Sequence, residues 1–465
     1  MKHKLIDSMQ EKYADYLQDE SKLKGSADSI SFPANVEEIL TVVEQMNKSG
    51  TGITIQGGRS GIAGGCVPEG GHVMNMHRFN QILSAEENLD GTAQITVEAG
   101  ITLLDMNQEI GRQFKKNSFF WPVQPSETTA TVGGILASGA KGINEFHYGD
   151  SRQYVDSLSM VLADGSYRVV TGKEELGQMI GSEGIYGVIT EATLHLLPKP
   201  ESVWGISFFF ENAEDAYCFC DTINKKGNVP DCTQAWIEAA EYLDSNSLRM
   251  IEKQKPYMSK IKNVPDIPDK FQSMVYVELA GEEESIEELA YIYMETAEEY
   301  GSNPDEAWAV TGEAEVEKMH HFRHAAAESV NVYIEQIKKT YPDITKLGTD
   351  MTLKDESFPT VMEMYLSDLK REKLNFCIFG HVHENHLHVN ILPNSPKEYK
   401  KGKELLVTWA KQVKEKKGNV AAENGIGKLK RELNDFRFSE KEKKEILSRK
   451  RRLDPKYIWN RGNVF

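Results

Sequence analysis

The sequence predicts an α+β protein in two parts, on three observations. The first 200 residues are rich in glycine and alternate short strand-like runs with amphipathic helical ones. After Pro200 glycine thins out, and long helical stretches alternate with strand runs to about residue 420. That second pattern is the one expected of helices laid on one face of an antiparallel sheet. The last segment, 421–465, returns to glycine and asparagine at its loops. At 465 residues the chain is also too long for one simple core, so two domains are expected.

Taken in order, Val36, Ile39, Leu40, Val43 and Met46 recur at helical spacing and run into Gly50, which predicts a helix with a glycine stop. GITIQGG reads as a strand entering a glycine turn. QITVEAGITLLDMNQEIGRQF repeats the theme, with a strand at 95–98, a turn at Gly100 and an amphipathic helix. DSLSMVLADGSYRVV reads as a hairpin turning at Asp164-Gly165, and GVITEATLHLLPKP as a strand closed by two prolines. In the second part WGISFFF and SMVYVELAG are strands, while SIEELAYIYMETAEEYG and VEKMHHFRHAAAESVNVYIEQIKK are helices. NFCIFGHVHENHLHVNILP gives two strand runs joined by a polar turn at Glu384-Asn385. The basic stretch KEKKEILSRKRR reads as a solvated helix face.

A net charge of −17 opposes binding to nucleic acid or to an anionic membrane surface. No run approaches the roughly 18 apolar residues of a membrane-spanning helix. The N-terminus lacks the apolar core of a signal peptide, so a cytoplasmic protein is expected. The five cysteines, Cys66, Cys218, Cys220, Cys232 and Cys377, fit reduced thiols there and match no iron–sulfur or zinc spacing. Any electrons would need another carrier.

Three glycine-rich stretches lie within 140 residues. ITIQGGRSGIAGGCVPEGG follows a strand, and its glycines let main-chain N–H groups approach an anion, with Ser60 as a hydroxyl donor and Arg59 as a charge. It is neither the G-x-G-x-x-G dinucleotide pattern nor a Walker loop. WPVQPSETTATVGGILASGAKG joins prolines, hydroxyls and glycines around Thr131, Gly133 and Gly134, and IGSEGIYGVITEATL ends in a strand. One such loop fits a flexible surface; three fit a large cofactor enclosed along its length.

These stretches resemble the flavin domain of the vanillyl-alcohol oxidase, or PCMH-type, superfamily, and more narrowly its D-lactate, glycolate and D-2-hydroxyglutarate dehydrogenase branch. QGGRSGIAGG is similar to R-G-G-G-T-S-L-A-G-G. PVQPSETTATVGGILASGAKG is similar to P-x-x-P-x-S-x-x-A-T-I-G-G-x-I-A-x-N-A-G-G. GSEGIYGVITEATL and the terminal DPKYIWNRGNVF match G-S-E-G-T-L-G-I-I-T-E-A-T-L and D-P-x-x-I-x-N-P-G-K-I-F. The resemblance implies a two-part FAD-binding domain over 1–200. It also implies a substrate (cap) domain with an antiparallel sheet and a metal-binding hairpin over 201–420, and a segment 421–465 packing back on the FAD domain. It implies FAD held by Gln56, Gly57, Gly58, Arg59, Ser60, Gly61 and Gly64 in the first loop and Pro125, Thr131, Gly133, Gly134 and Ser138 in the second. Glu183, Gly184, Gly187 and Ile189 in the third loop, with Asn460, would complete the set. Residues 56–65 contain no histidine, so non-covalent FAD is expected. Arg59, where the family has glycine, either adds a charge to the diphosphate or faces solvent.

GHVHENHLHVN, residues 380–390, holds four of the chain's twelve histidines. On a strand His386, His388 and Asn390 share one face, opposite Leu387, Val389 and Ile391. His381 and His388 can converge across the turn, an arrangement that suits a divalent metal given a third ligand; a polar hairpin face is the alternative. The stretch resembles the family's metal motif G-H-x-G-D-G-N-L-H-x-N, and AENGIG resembles its E-H-G-I-G. That implies His381, His388 and Glu423 as ligands of a divalent ion, zinc with iron or manganese as alternatives, and Asn390 as a substrate contact.

Two departures stand out. The family's proton-accepting histidine is replaced by Asn424, and a neutral amide is no general base. The family's G-D-G-N turn has become HENH, adding His383 and His386. His386, on the face of His388, is therefore expected to act as base, with His383 as the other added imidazole. The alternative sends the proton to water and leaves Asn424 to orient substrate. Arg323 falls where the family has an arginine gripping the substrate carboxylate, or else is an exposed helix residue. Lys346 lies near a family lysine of the same role.

The implied activity is an FAD-dependent, metal-assisted dehydrogenase of a (D-)2-hydroxy acid such as lactate, glycolate or 2-hydroxyglutarate. Electrons would pass to an electron-transfer flavoprotein, an iron–sulfur subunit or a quinone, and a homodimer is an open option for assembly. Two other readings stand beside it: a metal-free flavin alcohol or sugar oxidase, and a flavin-binding electron-transfer subunit that has lost its base.

Overall fold

The computed structural model describes residues 4–226 and 234–464, so Cys232 lies outside the described residues. The chain forms two compact units. One comprises 1–142, 150–199 and 423–465, and the other 143–149 and 200–422. Unlike the division expected at residue 200, the short segment 143–149 leaves the first unit and is built into the second.

In the first unit the helix Val36–Ser49 is capped by Asn35, whose side chain accepts from the Glu38 N–H, and it stops at Gly50 with φ 67°. Strands β1 (Ile6–Ser8), β2 (Ser29–Ser31), β3 (Ile53–Gln56) and β4 (His72–Asn75) form a sheet in the order β1-β2-β4-β3, with β4 parallel to both neighbours. Strands β5 (Ile82–Glu87), β6 (Ala93–Glu98), β7 (Phe119–Phe120), β8 (Val155–Val161), β9 (Tyr167–Val170) and β10 (Val188–Pro198) form a second, antiparallel sheet. Alternate residues of β6 and β10, Ile95 and Val97 with Ala192 and Leu194, enter one core with Trp121, Val132 and Leu136. The basic C-terminal stretch is the helix Glu440–Leu453, opened by a Ser439–Glu442 capping box. One member departs from the solvated face: Lys450 is buried and donates to the Ile185 carbonyl (2.5 Å), the Asp454 carboxylate (2.6 Å) and the Trp459 carbonyl (3.0 Å).

The second unit is built on strands β11 (Ser202–Phe210), β12 (Ala235–Asp244), β13 (Ser273–Gly281), β14 (Trp308–Thr311), β15 (Leu347–Gly348), β16 (Phe376–His381) and β17 (His386–Ile391). They pair antiparallel throughout, in the order β14-β11-β13-β12-β16-β17-β15. The helix Glu313–Lys338 packs Phe322, Ala326 and Val330 with Phe209, Tyr276 and Phe379 in one core. Register matters more than packing here. Tyr276, Glu241, His381 and His386 stand opposite one another across β13, β12, β16 and β17, so they share one face of the sheet.

A bulge in β12 carries a second buried acid. The register slips between Ile237 and Ala239, leaving Glu238 as the extra residue. Its Oε1 accepts from Asn144 (3.0 Å), and its Oε2 has no hydrogen-bond partner among the described residues. Burial, with Glu278 and Glu313 nearby, pushes its carboxyl well above the usual value of 4.5. The folded chain therefore keeps a proton that the unfolded chain has lost, and stability falls as pH rises above 4.5. Glu238→Gln is expected to stabilise the protein at pH above 7 by about 1–3 kcal/mol, the scale of an unsatisfied buried group. The gain should vanish near pH 4, where Glu238 is protonated in both states; urea midpoints at the two pH values check it.

Candidate functional site

The three glycine stretches meet in the first unit around one cleft. Of the residues expected to hold FAD, all but Gly64 line it. Gly64 lies off the cleft, in a left-handed turn (φ 74°) against Leu23. The loops approach each other at main-chain distance: a Cβ on Gly57 would strike the Thr131 hydroxyl, one on Gly58 the Thr129 carbonyl, and one on Gly133 the Ala99 methyl at 2.7 Å. Thr131 caps the short helix Val132–Ser138 by accepting from the Gly134 N–H (3.3 Å). Gln56 donates from Nε2 to the carbonyls of Tyr16 and Cys66, both at 2.8 Å. Its buried Oε1 has no partner among the described residues, which leaves an acceptor facing the cleft for a ligand donor. These features fit a dinucleotide held by backbone.

Two expected cofactor residues have other principal partners. Arg59 donates to the Asp15 carbonyl (2.7 Å) and lies over the Tyr16 ring at 4.3 Å, which ties the cleft's first loop to the turn Glu11–Leu17. The Glu183 carboxylate accepts from the N–H groups of Ile426 (2.7 Å) and Gly427 (2.6 Å) and from Arg437 (3.2 Å). It thus fixes the loop carrying Glu423 and Asn424, both of which line the same cleft. Asn460 ties β3 to the third loop, accepting from the Ile55 N–H (2.8 Å) and donating to the Glu183 carbonyl (2.7 Å). The sequence reading had assigned no part in the cleft to Cys66, Met76, Met160 or Asn463, which also line it.

In the second unit the hairpin β16–β17 turns through Glu384 and Asn385, both with φ 53°, the left-handed pair that a tight hairpin demands. The His388 Nδ1 lies 3.3 Å from the Thr349 carbonyl, which can only accept. The proton is therefore on Nδ1, and Nε2 presents a lone pair. His381 is set in the same way: its Nδ1 donates to Glu241 Oε1 at 2.5 Å. Burial would push the Glu241 carboxyl up, but Arg323 (2.9 Å) and His381 outweigh it and hold it at about 2, ionised and accepting.

The ligand atoms of Asp350, His386 and His388 lie within 4.8 Å of one another. His381, expected as a ligand, is outside that group, its ring centroid 5.2 Å from that of His386 and 5.8 Å from that of His388. His386, expected as the base, is fully buried, with Nε2 2.9 Å from Asp350 Oδ1 and Nδ1 3.6 Å from Glu145 Oε1. Its imidazole is thus edged by two of the chain's own carboxylates. Arg323 is a buried partner of Glu241 and not an exposed helix residue. His383 lies against Phe146 with ring centroids 5.0 Å apart. Asn390 donates to the His388 carbonyl (3.0 Å), and Lys346 to Asn331 (3.2 Å). Asp350 was missed by the sequence reading. It is brought in because the segment from Leu347 to Met351 runs along β17, opposite Ile391, Asn390 and Leu387 in turn.

A glycine-walled cleft of this kind, followed by an antiparallel α+β unit with a buried histidine–carboxylate cluster, defines a flavoprotein architecture. Residues 27–171 match the FAD binding domain, and residues 206–464 match the C-terminal domain of FAD linked oxidases. The chain belongs to the FAD linked oxidases. It is similar to glycolate oxidase subunit GlcD of Bacillus subtilis, 25% identical over 453 residues that span 94% of this chain and 89% of the relative. It is likewise similar to D-2-hydroxyglutarate dehydrogenase of Xanthomonas citri, 25% identical over 459 residues, 94% of this chain and 89% of that one. D-lactate dehydrogenase of Anaerostipes hadrus is 33% identical over 212 residues, 43% of each chain. Among solved structures, 4-ethylphenol oxidase from Gulosibacter chungangensis shares the fold with a TM-score of 0.73, at 15% identity over 99% of this chain and 94% of that one. Among the described residues no helix is long and apolar enough to cross a membrane.

The cleft's closeness gives a direct test. Gly58→Ala is expected to cost about 1–3 kcal/mol through overpacking against the Thr129 carbonyl. It should also lower the FAD retained per chain after purification, read from flavin absorbance; full retention would show that the loops can part without loss.

Proposed function

We propose that the protein oxidises a small D-2-hydroxy acid, of the lactate, glycolate or 2-hydroxyglutarate kind, to the 2-oxo acid, and passes the electrons to a separate acceptor. The observation that carries this reading is the convergence of Asp350, His386 and His388 in a chain whose relatives bear the names of such enzymes. The glycine cleft would hold FAD non-covalently, and the flavin would supply the acceptor for the hydride leaving C2. Asp350, His386 and His388 would hold a divalent ion, zinc foremost with iron or manganese as alternatives, which acidifies the substrate hydroxyl. Glu423 is the further carboxylate that the resemblance names, and its chain neighbour Ala422 donates to the Asp350 carbonyl at 2.9 Å.

His381, its proton fixed on Nδ1 by Glu241, keeps Nε2 for the same role. Asn390 and Lys346 are assigned to the substrate. Asn424 orients the hydroxyl and takes no proton, so with His386 committed to ligation the proton leaves to water. The sequence holds no second redox motif, which is why an electron-transfer flavoprotein, an iron–sulfur subunit or a quinone is needed.

Anaerobic mixing with a panel of D-2-hydroxy acids, with metal content measured on the same sample, tests the reading. Bleaching of the flavin by at least one acid and about one metal per chain is expected. FAD without metal would favour a metal-free oxidase. FAD and metal without bleaching by any acid would favour an electron-transfer subunit, the reading to which Asn424 points.

A further inference from the structure

We propose that Glu145 is a positioning residue for the histidine–carboxylate cluster, delivered to it by the segment 143–149; this rests on the metal site proposed above. The segment lies in the sequence of the FAD-binding half, yet it folds with the second unit. Consecutive residues show how it is fastened there. Asn144 donates to Glu238 on the β12 bulge at 3.0 Å. Phe146 lies against His383, ring centroids 5.0 Å apart, and His147 stacks on Trp236 at 4.6 Å and 18°. The strap is thus anchored on both sides of residue 145, to the hairpin turn and to β12.

Between these anchors the Glu145 side chain is 1% exposed, and its Oε1 stands 3.6 Å from the His386 Nδ1. The other nitrogen of that ring faces Asp350 at 2.9 Å. The imidazole is therefore held at both edges, by one carboxylate that shares the ligand group and by one that does not. At 3.6 Å the Glu145 contact is longer than a hydrogen bond, a packing of the carboxylate against the ring edge. It acts by orientation: a carboxylate packed against the Nδ1 edge fixes the rotation of the ring and keeps its Nε2 edge turned to Asp350 and the ligand group. The segment as a whole is a strap that places a carboxylate behind the hairpin's added histidine.

The test is zinc affinity, measured by chelator competition on the full-length flavoprotein, together with the visible spectrum of the cobalt(II)-substituted protein. Glu145→Gln is expected to bind zinc about 10–100-fold more weakly, the range found for partners that orient a metal's ligands. Its cobalt spectrum should shift while flavin content per chain stays that of the wild type. Glu145→Asp, which keeps the charge and withdraws it, should fall between the two, and it carries the test if the glutamine variant is insoluble. Wild-type zinc binding with both variants within twofold of it would overturn the role given to Glu145 and leave the metal site standing. A wild type that binds no zinc or cobalt would overturn both.

Discussion

With the proposed metal site, His388→Ala is expected to bind no divalent metal and to reduce its flavin with a 2-hydroxy acid about 1,000-fold more slowly than wild type, while keeping its FAD. The magnitude follows from what the imidazole does. Polarisation of a substrate oxygen by a bound ion contributes several kcal/mol to the barrier, and about 4 kcal/mol is a factor of roughly 1,000 in rate. His388 suits that proposed role because its Nδ1 faces a carbonyl that can only accept, which leaves Nε2 for an ion. No histidine of the cluster lines the flavin cleft, which belongs to the other unit, so FAD content serves as an internal control. Metal analysis and anaerobic stopped-flow on the same preparation give both readouts. A variant that keeps about one metal per chain, or that reacts within tenfold of wild type, would remove the metal from the mechanism.

The helices and strands were legible in the sequence because their signals are local. A 3.6-residue period ending at Gly50 and an Asp-Gly turn between two alternating runs need no knowledge of distant residues. The hairpin of 376–391 was legible for the same reason, and so was the cleft, whose loops are each a short glycine-rich string. What the sequence could not reveal is who stands opposite whom. Asp350 is a lone acid after a two-residue strand, and only its pairing beside β17 brings it to His386. Glu145 sits in what reads as a loop of the first domain. Glu241 is one of several acids in a strand, and only the register with β16 makes it the partner of His381. Arg59 stands among glycines in the sequence, and only the fold brings its guanidinium over the ring of Tyr16, far back in the chain. Each of these assignments turned on a long-range pairing.

Such a pairing also underlies the largest expected change in stability. Arg323→Met is expected to destabilise the protein by about 3–5 kcal/mol, because it strands the Glu241 carboxylate without its guanidinium in a fully buried position. The side chain's volume is nearly conserved, so packing against the helix Glu313–Lys338 accounts for little of the loss. The double variant Arg323→Met, Glu241→Gln should recover a large part of it, since the penalty comes from the uncompensated charge and not from the missing pair itself. Chemical denaturation of the four proteins of that cycle, without substrate, measures it. A substrate-clamping arginine would behave in the opposite way: the single variant would unfold like wild type and show its defect only as a raised KM. If the single variant is as stable as wild type, the buried ion pair has been misread, and Arg323 returns to the role of carboxylate clamp that its place in the sequence first suggested.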